Sequence, residues 1–227
     1  MVIEFCGLPG CGKSSLLNGC KPNYNVIYDR RKIFKKVRYQ SQYFKILPGY
    51  LPLKKEYRIL LKFIKDYPDS NKVFRSKLLR LNYALNNSSN HLVLLDEGPV
   101  QYLTSIPFDK KIIENDNLEN AVSVLCKNEK MVFYCNCPVE LSVNRLVHRK
   151  KEGYTDNGRY DIENAEELRK LLTIKEKNIK AVLQYYRGTI VEIDMNQPPE
   201  INIQLIKEKI SELYGDNHKI WNDGEIQ

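Results

Sequence analysis

Residues 7–14 read Gly-Leu-Pro-Gly-Cys-Gly-Lys-Ser, and no other stretch of the 227-residue chain restricts its fold as tightly. The spacing is that of a phosphate-binding loop. Glycine at 7, 10 and 12 lets the backbone wrap an oxyanion without Cβ clashes. The loop amides then converge on phosphate oxygens at the positive end of the helix that follows. Lys13 supplies a charge for the outer phosphates, and the Ser14 hydroxyl is placed for Mg²⁺. The apolar run Val2–Cys6 predicts a buried strand before the loop, and a helix is expected from Ser14 to Asn18 with Gly19 as its stop. Gly7, Pro9, Gly10, Cys11, Gly12, Lys13, Ser14 and Ser15 are therefore the expected phosphate contacts of a bound nucleotide. Cys11, close to a helix N-terminus, is a candidate for a lowered thiol pKa.

A second apolar run ends in two carboxylates, Val93-Leu94-Leu95-Asp96-Glu97. In a phosphate-loop protein such a strand lies beside the first, and its terminal Asp reaches the metal shell. Ser14 and Asp96 are the expected Mg²⁺ residues, and Glu97 is an expected catalytic carboxylate.

Between and after these motifs, apolar strands alternate with helical periodicity. Strands are expected at 25–28, 131–134 and 190–193, besides the two above. Helices are expected from 54 (Tyr57, Leu60, Leu61 and Ile64 on one face), around 74–85, at 118–126, 140–151 and 168–186, and at 200–214. Gly188 is expected to cap the helix before the last strand, and 99–117 reads as a loop-rich connection. This order predicts an α/β three-layer fold with a five-stranded parallel sheet flanked by helices. One domain over 1–227 accounts for the length, with a helical acceptor-binding insert at 30–90, a lid at 140–160 and a flexible tail at 215–227.

The chain carries 36 Lys and Arg against 28 Asp and Glu, a formal net charge of +8, with 42% hydrophobic residues. That supports a core and suits an anionic partner. No run approaches the ~18 apolar residues of a spanning helix, and the N-terminal residues do not read as an export signal. A cytoplasmic location without a membrane partner is expected, and the six scattered cysteines are expected to be reduced thiols. Cys135-x-Cys137 is too closely spaced for a structural zinc pair and lacks a second one.

Three further features favour phosphoryl transfer. Arg145 and Arg149 lie four apart on one face of a basic helix, followed by a turn-rich loop and Arg159. They are expected catalytic cations, with Arg145 also touching the nucleotide. Asp29, after the second strand, is placed to accept a hydroxyl proton. The third is Ile190-Val-Glu-Ile-Asp194-Met-Asn196-Gln197-Pro198-Pro-Glu200 before the last helix. Here, and in Val132–Arg145, the chain resembles the P-loop nucleoside and nucleotide kinases, thymidylate kinases in particular. The resemblance implies an ATP-Mg²⁺ phosphoryl donor, lid roles for Arg145 and Arg149, and adenine contacts around Asn196, Gln197 and Pro198. One departure stands out. Those kinases carry Asp-Arg or Glu-Arg where this chain has Asp96-Glu97-Gly98, so the arginine expected there is absent; Arg30 and Arg75 are the nearest alternatives.

The expected function is transfer of the ATP γ-phosphoryl group to a small-molecule acceptor, a nucleoside or nucleoside monophosphate. A sugar, another hydroxyl compound or a nucleic-acid end is the alternative acceptor. The basic run Arg30, Arg31, Lys32, Lys35, Lys36 and Arg38, interleaved with Phe34 and Tyr39, would serve a nucleic acid. Nucleic acid is the weaker partner expectation, and a homodimer is compatible with this reading. A nucleotide-dependent switch or assembly ATPase is the rival from another class.

Overall fold

The computed structural model describes residues 2–20, 54–67, 93–107, 109–127, 129–153, 160, 162 and 164–214. The chain opens with strand β1 (Val2–Gly7), the loop, and helix α1 (Lys13–Cys20). Helix α2 (Lys54–Lys65), strand β2 (Val93–Leu95), and helices α3 (Pro99–Leu103) and α4 (Asp116–Leu125) follow. Strand β3 (Glu129–Asn136), helices α5 (Val139–Lys151) and α6 (Ala165–Gln184), strand β4 (Thr189–Asp194) and helix α7 (Pro199–Tyr214) complete it.

All strand pairs are parallel, in the order β2-β1-β3-β4. The described sheet thus has four strands where five are expected; the expected fifth, at 25–28, lies outside the described residues, as does the expected helix at 74–85. Every residue of β1 is buried. Side chains alternate faces along a strand, so complete burial means that both faces of β1 are covered. Phe5 and Phe133 meet across neighbouring strands with ring centroids 5.1 Å apart, at the centre of a continuous apolar core.

Helix α1 packs against α7, α2 against α4, and α5 against α6. The α2 face that enters the core is Leu60, Phe63, Ile64 and Tyr67, and the Tyr67 hydroxyl accepts from the Ile113 N–H at 2.7 Å. Asn115 and Asn164 cap α4 and α6 through their side-chain oxygens, which satisfies N–H groups the helices cannot pair themselves.

Three local expectations need correction. Gly19 does not stop α1; it lies inside the helix, because a Cβ there would sit 2.2 Å from Ile203 Cδ1 of α7. It permits helix contact, not termination. Gly188 does not cap α6, which ends at Gln184 with Tyr185 as C-cap. A Cβ on Gly188 would meet the Tyr186 hydroxyl at 2.3 Å, so its role is room for that ring. The stretch after Gly98 is not loop throughout: Pro99 begins α3, a position where its missing N–H costs nothing.

Parallel register brings the carboxyl ends of all four strands to one edge. Gly7, Leu95, Asn136 and Asp194 end β1 to β4 there, which is where ligands bind in open α/β sheets.

Candidate active site

The loop residues Gly7, Gly10 and Gly12 have φ of +156°, +78° and +110°. At Gly10 and Gly12 the backbone lies in the region side chains avoid. A Cβ on Gly10 would also meet Leu146 Cγ of α5 at 2.9 Å, and one on Gly12 would meet Met195 Cε at 3.1 Å. The loop is thus clasped between α5 and the segment after β4. Pro9 is partly buried within the turn, and Ser15 is exposed at the first turn of α1.

Lys13 Nζ donates to the carbonyls of Gly7 at 3.0 Å and Leu8 at 2.9 Å, and lies 3.7 Å from Cys11 Sγ. Burial pulls its ammonium pKa down, but the negative charges of Cys11, Asp96 and Glu97 outweigh that and raise it. The lysine is therefore firmly cationic, with both strand-end carboxylates within its field. Ser14 Oγ donates to Asp96 Oδ2 at 3.0 Å. This pair joins the loop to the end of β2, and two hard oxygens from separate elements would suit a Mg²⁺ ion. Glu97 follows in the same turn, half-buried.

Arg145, half-buried on α5, donates from Nη1 to the Cys11 carbonyl at 2.6 Å. The structure thus brings one of the two helical arginines onto the loop. Arg149 is exposed one turn further on, and among the described contacts it does not reach the loop. Asp194 ends β4; the Asn196 N–H and side-chain amide, both donating to it, hold its carboxyl below the ordinary range. Gln197 and Pro198 are exposed beside it. Asp29, Arg30, Arg75 and Arg159 lie outside the described residues.

Cys11 is completely buried. The Cys135 thiol, hydrogen-bonded to its sulfur, lowers the Cys11 pKa; burial opposes this and the Lys13 ammonium assists, leaving it at about 6. Carboxamidomethylation of Cys11, read by peptide mass spectrometry, should therefore rise with a midpoint near pH 6. ATP should protect it. A rate that climbs only above pH 8 would show an ordinary thiol.

Two site residues escape the sequence motifs. Glu4, buried in β1, accepts from the N–H groups of Gly98 at 2.9 Å, Val100 at 2.9 Å and Gln101 at 2.7 Å. Gln101 Oε1 in turn accepts from the Gly7 N–H at 3.1 Å. The available signal is a carboxylate inside an otherwise apolar strand, since a buried charge demands partners. Glu129, at the start of β3, is pushed well above the carboxylate range by burial and by the charge of Glu4. It holds the proton of this buried pair.

No family model matches the chain, and no curated protein matches its sequence. Among solved structures, deoxyadenosine kinase from M. mycoides with products dCMP and a flexible dCDP bound superimposes with a TM-score of 0.51 at 17% identity. The match covers 93% of this chain and 100% of that one. The same enzyme with bound dCTP gives the same values, a TM-score of 0.51, 17% identity and 93% and 100% coverage. Shikimate kinase from Acinetobacter baumannii in complex with shikimate superimposes with a TM-score of 0.49 at 16% identity, covering 96% of this chain and 95% of that one. What the chain shares with the deoxyadenosine kinase is the fold, an α/β parallel sheet with flanking helices. Among the described residues, no helix is long and apolar enough to cross a membrane.

Proposed function

We propose that this chain is an ATP-dependent phosphotransferase that moves the γ-phosphoryl group to a small-molecule acceptor, a nucleoside or nucleoside monophosphate. The observation that carries this is the seat of Arg145 on the Cys11 carbonyl, 2.6 Å away. A phosphate loop and a nearby acid occur in every class of P-loop protein. A guanidinium delivered onto that loop by the helix after β3 is what phosphoryl transfer adds, because charge spreads over the transferred group. The deoxyadenosine kinase match supports the nucleoside class of acceptor.

In this reading the loop amides and Lys13 bind the β- and γ-phosphates, and Arg145 turns from the loop carbonyl toward the group in flight. A magnesium ion held by Ser14 Oγ and Asp96 would neutralise the phosphate oxygens. With a nucleoside acceptor, Glu97 or Asp29 takes the hydroxyl proton as the new O–P bond forms and ADP leaves; a monophosphate attacks through a phosphate oxygen and needs no base. The segment Asn196–Pro198 lines the adenine. Arg149 is a second cation available to a closed site.

The test is a screen of nucleosides, nucleoside monophosphates, sugars and oligonucleotide ends with γ-labelled ATP, read as label transferred. Transfer to a nucleoside or its monophosphate supports the proposal. Slow ATP hydrolysis with every acceptor would instead indicate a switch. With the acceptor found, Arg145→Ala should lower kcat by about 10²–10³, as loss of one transition-state donor does. The ATP dissociation constant should change less than about fivefold. A loss confined to affinity would make Arg145 a binding residue only.

A further inference from the structure

Strand β2 is short. Its pairing with β1 runs only from Val2 opposite Val93 to Glu4 opposite Leu95. Beyond Glu4, β1 continues through Phe5, Cys6 and Gly7 with β3 on one side. On the other side no strand residue among those described faces it. Yet Gly7 begins the phosphate loop, and its buried N–H requires an acceptor. That acceptor is a side chain: Gln101 Oε1, at 3.1 Å. An amide carbonyl thus stands where a β2 longer by about three residues would have offered a backbone one.

Gln101 is itself held. Its backbone N–H donates to Glu4 Oε1 at 2.7 Å, and the neighbouring N–H groups of Gly98 and Val100 donate to the same carboxyl, both at 2.9 Å. Its own carbonyl accepts from the Thr104 and Ser105 hydroxyls, at 3.1 Å and 2.6 Å. Glu4 also leaves no room for a side chain at 98, since a Cβ there would lie 2.7 Å from its carboxyl. The result is a closed ring: Glu4 to the turn after Asp96-Glu97, that turn to Gln101, Gln101 to Gly7, and Gly7 back along β1 to Glu4. One side of the ring carries the loop that binds phosphate; the other carries Asp96, bonded to Ser14 across the gap at 3.0 Å.

We propose that Gln101 is a positioning residue that sets the distance between the phosphate loop and the Asp96 carboxylate, and so governs the Mg²⁺-dependent part of ATP affinity. This rests on the nucleotide-binding reading above. The side-chain amide is suited to the task, because it accepts the Gly7 N–H without adding a charge beside the buried Glu4 carboxyl. A hydrocarbon of the same length would leave the Gly7 N–H buried without a partner, and the start of the loop would shift to find one.

The experiment compares the full-length wild type with Gln101→Met, a near-isosteric variant without the acceptor. ATP affinity is measured by calorimetry with excess Mg²⁺ and with EDTA instead, and amide exchange at Gly7 is followed by NMR. In the variant, affinity with Mg²⁺ should fall about tenfold, affinity in EDTA less than about threefold, and Gly7 exchange should accelerate at least about tenfold. A purely structural role would weaken both affinities alike, and that outcome overturns the proposal. So does unchanged Mg²⁺-ATP binding. If Gln101→Met does not fold, the wild-type exchange decides: a Gly7 amide as fast as the exposed amides of the loop means that the bond is not made and the proposal fails. Wild-type protein that binds no ATP at all would defeat the nucleotide-binding reading itself, while Gly7 protection would still report on the brace.

Discussion

Lys13→Ala is expected to weaken ATP binding by at least about a hundredfold, equivalent to about 2.7 kcal/mol, while the protein stays folded. The Lys13 ammonium is kept protonated by the negative charges of Cys11, Asp96 and Glu97 against the pull of burial. It also donates to two loop carbonyls, at 3.0 Å from Gly7 and 2.9 Å from Leu8. Without it, loop amides alone face two or three phosphates, and the acidic groups around the site repel them. The fold should survive because those two carbonyls can turn to water. Loss of charge-assisted bonds of this kind costs about 1.5–3 kcal/mol, within the roughly 5–15 kcal/mol by which domains are stable. Calorimetry with ATP and a thermal melt on the same sample check both halves. Undiminished binding would refute the assignment of the loop.

Asp96→Asn should lower Mg²⁺-dependent turnover about a hundredfold, within the range that electrostatic groups at a reacting phosphate contribute. The substitution is nearly isosteric, and its amide oxygen can still accept from Ser14 Oγ, now 3.0 Å from Asp96 Oδ2. What disappears is the negative charge. Two effects follow, of opposite sign. The Mg²⁺ concentration for half-maximal activity should rise at least about tenfold, because a neutral amide is a poorer ligand for a hard dication. ATP binding in EDTA should hold or tighten, because a carboxylate that repels the phosphates has gone. Initial rates over a Mg²⁺ titration, together with calorimetry in EDTA, separate the two. An equal loss with and without Mg²⁺ would place Asp96 in the fold, not at the metal.

Much of this site is legible in the residues because its chemistry is local. The phosphate loop needs glycine, lysine and serine at fixed spacing, and the strand before it declares itself by apolar content. Asp96 is legible only by position, at the end of an apolar run, and gains meaning from the loop that precedes it. Arg145 stands out by its helical spacing from Arg149, yet spacing alone ranks the two equally. Only packing of α5 on Gly10, through Leu146, places Arg145 on the Cys11 carbonyl and leaves Arg149 exposed. Gly19 and Gly188 show the opposite failure. A glycine near a helix end suggests a stop, but here each makes room for a specific side chain, Ile203 and Tyr186. Such contacts are long-range and leave no local pattern.

The sequence by itself determined the phosphate loop, the alternation of strands with helices and the acidic end of the third expected strand, because each depends on neighbours within a few residues. The tertiary structure decided how these parts are held in register. The Glu4 carboxyl, 94 positions from Gly98 along the chain, and the Gln101 amide, 94 positions from Gly7, meet their partners only because β2 lies parallel to β1. A short β2 leaves the far end of β1 without a ladder partner on that side, and buried backbone groups must be paired. That requirement turned two unremarked side chains into the link between the loop and its acid.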